Sequence, residues 1–182
     1  MKEKFKTISI LLLGLLLFGL VGCGSDKTAD KKNPPTNQEY YDYLTERYNY
    51  YFNNSDLDTN YDVFSDNFTY DGSYDEFITV YNDNYGQLKR NLEAFKSDLE
   101  NNVIKGNDEI DKYNQEMITA TDKAIIAVDD YIGSFGEKAK DYATLSKDEV
   151  VKGLRSLTLD AHNARLDLKN LYDDAKDKLG IK

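Results

Sequence analysis

Residues 73–99 read SYDEFITVYNDNYGQLKRNLEAFKSDL, and this stretch decides the fold. Ser73 followed three residues later by Glu76 is a capping box, which marks the start of a helix. Behind it Tyr74, Ile78, Tyr81, Tyr85, Leu88, Leu92, Phe95 and Leu99 recur with alternating spacings of 4 and 3. That is an unbroken heptad seam, the pattern of a long helix packed against other long helices. Gly106 is placed to end it.

The same grammar repeats downstream. From about Asp108, Ile110, Tyr113, Met117, Ala120, Ala124, Ala127 and Tyr131 form one stripe, and Ile118, Ile125, Val128, Ile132, Phe135, Ala139 and Tyr142 form a second. A helix with two apolar stripes touches two neighbours. Gly133 and Gly136 weaken helix propensity and predict a kink or break near there. Ser146 and Glu149 form another capping box. A third seam follows through Val150, Leu154, Leu157, Ala161, Ala164, Leu168, Leu171 and Ala175, with Gly180 as the stop. Folding the three as antiparallel hairpins sets Tyr85 near Ala127, Leu88 near Ala124, Ala161 near Val128 and Ala164 near Ile125, so that large residues meet small ones. The first stripe of the second helix then faces the first helix, and its second stripe faces the third. The expected class is all-α: an antiparallel three-helix coiled bundle of long helices. A short Tyr-rich helix over about 38–53 packs on it as a fourth element. The turn-rich stretch after it carries at most a helical turn around 61–66.

The N-terminal region has a different composition. Lys2, Lys4 and Lys6 precede a run from Ile8 to Val21 that is almost wholly apolar. The run is shorter than the roughly 20 residues of a membrane-spanning helix and matches a secretory h-region. It ends in Leu20-Val21-Gly22-Cys23, and Cys23 is the only cysteine. This tetrapeptide, with its charged and apolar flanks, resembles the lipobox of bacterial lipoproteins over about the first 25 residues. The resemblance implies cleavage before Cys23, a diacylglycerol on its thiol, and a location on the outer face of the cell membrane. Two acyl chains anchor a protein stably where one does not. Three regions follow: a signal peptide (1–22), a lipidated cysteine with a flexible, disordered tether (23–38), and a single helical-bundle domain (39–182). The tether assignment rests on a stretch without large apolar residues and on Pro34-Pro35.

The net charge is −10. Removal of residues 1–22 takes away Lys2, Lys4, Lys6 and Glu3, which brings it to −12. A chain this acidic is repelled by nucleic acid, so that partner is not expected. Abundant Tyr, Asn, Asp and Lys with scarce Pro fit the usage of low-GC Gram-positive bacteria.

Two features qualify as candidate sites. Asp56, Asp58, Asn60 and Asp62 stand at alternate positions, which resembles the first half of an EF-hand calcium loop. Tyr61 replaces the turn glycine, and Asn67 stands where the bidentate glutamate belongs, so calcium is the minor expectation and a solvated acidic loop the major one. The second feature is tyrosine. Eleven of the 15 tyrosines fall between residues 40 and 85. Tyr41, Tyr48, Tyr74, Tyr81 and Tyr85 lie on apolar faces and are expected to pack. Tyr40, Tyr43 and Tyr50 fall off that face and are the candidates for contacting a partner. His162, the only histidine, has no carboxylate on its own helix face and is expected to be solvated. No Gly-rich phosphate loop or G-x-S-x-G elbow appears. The expectation is a non-enzymatic surface lipoprotein that binds another envelope component, a protein complex or wall polymer; the alternative is a lipoprotein for calcium or a small ligand.

Overall fold

The structure is a computed structural model, and it describes residues 33–182. The signal peptide, Cys23 and residues 24–32 of the expected tether lie outside the described residues. Within them the chain is all-α, with no strand. Helix α1 spans Asn37–Tyr48 and passes into a π turn at Asn49–Asn53; a 3-10 turn follows at Thr59–Tyr61. Then come α2 (Tyr74–Asn101), α3 (Asp108–Tyr142), α4 (Lys147–Asp173) and the single turn α5 (Ala175–Lys178).

The capping boxes act as expected. The Ser73 and Ser146 hydroxyls each accept from the backbone N–H three residues on, while Glu76 and Glu149 accept from the cap's own N–H. These bonds hold both glutamates below the usual carboxylate range. Thr36 and Glu39 form a third such box at α1. It moves the start of the domain: α1 begins at Asn37, inside the stretch read as disordered tether. Gly106, with φ +122°, turns the chain between α2 and α3, and Gly180, with φ +63°, follows α5.

The long helices run antiparallel. Asn82 accepts from the Tyr131 hydroxyl at 2.6 Å, Lys89 pairs with Asp129 at 2.5 Å, and Lys96 pairs with Asp122 at 2.6 Å. At the far end Asn114 donates to the Leu99 carbonyl at 2.9 Å. Between α3 and α4, Tyr113 donates to the Leu171 carbonyl, and Tyr142 crosses Gly153, where an added Cβ would stand 2.6 Å from the Tyr142 hydroxyl. Every member of the α2 seam from Ile78 to Leu99 is buried, as are Val150, Leu154, Ala161, Leu168 and Ala175 of the third seam.

Two details of α3 differ from the expectation. The ion pairs to α2 flank Ile118 and Ile125, and the Ala139 carbonyl accepts from Tyr74 of α2, whereas Tyr113 of the first stripe reaches α4. The stripes thus do not divide cleanly between the two neighbours. Tyr131 of the first stripe bonds Asn82 and packs on Tyr85 of α2, and Tyr142 of the second crosses Gly153 of α4, as expected, whereas Tyr113 and Ala139 reach the opposite neighbours. Ile132, at the distal part of that second stripe, is 40% exposed. Nor does the helix break at Gly133 and Gly136. Both stay helical and exposed, because α3 is held along its length by two neighbours. An added Cβ meets nothing within 4 Å at either glycine. Gly133→Ala and Gly136→Ala should therefore stabilise the fold by about 0.5–1 kcal/mol each. The expected readout is a higher urea midpoint at unchanged slope.

The segment from α1 to residue 72 is more than a short accessory helix. It runs the length of the bundle along the groove between α2 and α4. Its later part, residues 49–72, is termed the strap here. On α2 it is gripped by residues seven apart: Phe77, Asn84, Asn91 and Asp98. Phe77 stacks on Tyr70 at 3.9 Å and lies edge-on to Phe68. Asn84 brackets Asp58, accepting from its N–H at 2.9 Å and donating to its carbonyl at 3.1 Å. Asn91 donates to the Tyr51 carbonyl, and Asp98 accepts from the Tyr51 hydroxyl. From α4, Arg155 donates to the Val63 carbonyl, Arg165 pairs with Asp62 at 3.2 Å, and Tyr172 stacks on Tyr48 at 3.9 Å.

Candidate partner-binding face

The buried face of α1 is Tyr40, Leu44 and Tyr48, at successive fourth positions. Tyr40, proposed above as a partner contact, is 1% exposed. Its hydroxyl bonds Asn114 Oδ1 at 3.1 Å, and its ring meets Tyr113 edge-on. Burial pushes its pKa far above the ordinary phenol value. Tyr40 therefore packs and cannot contact a partner. The sequence misassigned it because Tyr40 and Tyr41 are both compatible with a face containing Leu44 and Tyr48. Asn114, which receives the Tyr40 hydroxyl, decides between them from 74 residues away.

Tyr43 is half-buried. Its hydroxyl donates to the Asp98 carbonyl at 3.0 Å, and burial raises its pKa to about 12. Tyr50 is different: it is 63% exposed and stands edge-on to Tyr51 at 4.9 Å. Between the two tyrosines lies Arg47, a residue sequence reasoning missed. Its guanidinium carbon is 5.8 Å from the Tyr43 ring centre and 5.9 Å from that of Tyr50. It also pairs with Glu46 and lies 3.6 Å from Asp98. The signal was available, since Arg47 is four residues after Tyr43 and three before Tyr50, the distances at which helix side chains meet. The result is a presented tyrosine ring beside a partly shielded guanidinium, held from beneath by α2.

The would-be calcium loop does not assemble as one. Asp58 accepts from the Asn60 N–H and caps the 3-10 turn, and Asp62 Oδ1 accepts from the Phe64 N–H. Asp62 Oδ2 is the oxygen paired with Arg165. Asp58, Asp62, Asn84, Tyr85 and Arg165 line a cavity of about 30 Å³. The Arg165 charge there opposes a divalent cation. Asp56 lines an adjoining open cleft with Asp58, Asp83 and Arg90, and Asn60 is exposed. Among the described residues no three His, Cys, Asp or Glu side chains are grouped to hold a metal ion.

His162 is not the solvated residue expected. It stacks on Phe64 of the strap at 4.0 Å, and burial lowers its pKa against the opposing pull of Asp62. The carboxylate absent from its own helix face comes from the strap.

Comparison with protein-family models, with curated protein sequences and with solved structures returned no match.

Proposed function

We propose that this chain is a non-enzymatic lipoprotein, anchored through Cys23 to the outer face of the cell membrane, whose helical bundle binds another component of the envelope. The anchor rests on the Leu20-Val21-Gly22-Cys23 lipobox. The binding half of the reading is carried by one observation: Tyr50 presents its ring to solvent beside Arg47 while Tyr40, Tyr48, Tyr81 and Tyr85 are buried. Tyrosine and arginine concentrate the energy of protein interfaces, and a tyrosine left exposed at 63% is not needed by the core. Metabolic labelling with a fatty-acid analogue tests the anchor. The wild type should be labelled and Cys23→Ala should not. Equal labelling of the two would overturn the assignment of Cys23.

A further inference from the structure

Residues 34–37 are fastened to one end of the bundle. Asn107 donates to the Pro35 carbonyl at 3.3 Å. Asn37 donates to Glu109 at 2.8 Å and to the Leu179 carbonyl at 2.9 Å. Pro34 lies against Gly106, 3.6 Å from where a Cβ would stand. This end holds the α2–α3 turn and the C-terminal residues; the Gly72 turn and the α3–α4 turn form the other. From it α1 runs along the bundle, so the heights of its side chains are fixed. At 1.5 Å per residue, Tyr43 stands about 10 Å and Tyr50 about 20 Å above Asn37. By the same measure the opposite end is about 45 Å away. From Cys23 to Pro34 the chain can reach at most about 40 Å.

We infer that the end bearing Pro34, Gly106 and Leu179 faces the bilayer, and that the Tyr50–Arg47 face engages a second membrane-held protein. The inference rests on the reading of Cys23 as the lipid anchor. The clamp at residues 34–37 leaves the chain no slack beyond Pro34, so the bundle cannot present its other end to the membrane without releasing these contacts. Tyr50 then lies in the membrane-proximal half, on a flank. A protein held in the same bilayer meets that flank at a high local concentration. A tyrosine ring with an adjoining guanidinium is the composition of a protein hot spot.

The test is photo-crosslinking in intact cells, with a photoreactive amino acid at position 50 or at position 145. Leu145 is 41% exposed at the opposite end. Each variant is made with the natural tether and with thirty Gly/Ser residues inserted after Lys32. Position 50 should yield an adduct with a membrane protein, and position 145 several-fold less. The longer tether spreads the bundle over a greater range of heights above the bilayer and should lower the yield at position 50 about twofold, as the square root of tether length. A yield unaffected by the insertion overturns the inference. So do adducts of wall polymer or of a soluble protein, and so does stronger crosslinking from position 145. Absence of any adduct at position 50 overturns it together with the binding face. Fatty-acid labelling of the same strains reports on the anchor separately, so a failed anchor and a wrong orientation are distinguishable.

Discussion

Phe77→Ala will lower the unfolding free energy by about 3–5 kcal/mol, the range for truncating a buried phenylalanine. Phe77 is 1% exposed, and its ring touches Tyr61, Phe68 and Tyr70 of the strap as well as Tyr81 of its own helix. Three of its four aromatic neighbours therefore belong to the segment that closes the groove. The same substitution should speed amide exchange across residues 59–70 more than in the centres of α3 and α4, because the strap loses its main apolar fastening. Chemical denaturation and native-state hydrogen exchange read the two effects. A change below about 1 kcal/mol would mean that the strap is not held at this point.

Asn114→Ala is expected to cost about 2–6 kcal/mol. Asn114 is itself buried, and it satisfies two buried groups at once, the Tyr40 hydroxyl and the Leu99 carbonyl. Removing it leaves both without that partner, at about 1–3 kcal/mol each. Tyr40→Phe in the Asn114→Ala background should cost less than in the wild type, with a coupling of at least about 0.5 kcal/mol. Purely additive effects would show that the bond between them does not hold α1 in place. Tyr50→Ala serves as the contrast: its ring is solvent-facing, so stability should change by no more than about 0.5 kcal/mol.

The long helices were legible because each carries its own instructions. The Ser73–Glu76 and Ser146–Glu149 caps and the heptad seams are local, and they fall within a residue or two of the observed boundaries. The placement of the α3 stripes was legible only in part: Tyr131 meets α2 and Tyr142 meets α4 as the pattern implied, while Tyr113 and Ala139 do the reverse. Two apolar stripes accept either neighbour on either side. What distinguishes the observed arrangement is that Lys89 and Lys96 meet Asp129 and Asp122 beside the second stripe. The strap was also missed, for a different reason. Its docking residues repeat every seven positions on α2, but three of the four are Asn, Asn and Asp, which a search for apolar periodicity passes over. Of the candidate contacts, Tyr50 keeps an exposed ring, Tyr43 is half-buried and Tyr40 packs. The Asp56–Asp62 pattern had the spacing of a cation loop, but Arg165, 103 residues on, answers Asp62.

Helix α1 and the strap together tie the beginning of the domain to its end. Val63 waits for Arg155, 92 residues later, and Asn37 for Leu179, 142 residues later. The α2–α3 and α3–α4 hairpins join near neighbours in sequence and close quickly, whereas contacts between distant residues close slowly. During synthesis the tyrosine-rich segment emerges before the α4 residues that hold it. Until the end of α4 and Leu179 are available, Tyr48 lacks the Tyr172 ring and Asn37 lacks its carbonyl partner. Removal of α5 and the residues beyond it should therefore be felt at the opposite end of the domain, where Asn37 loses the Leu179 carbonyl.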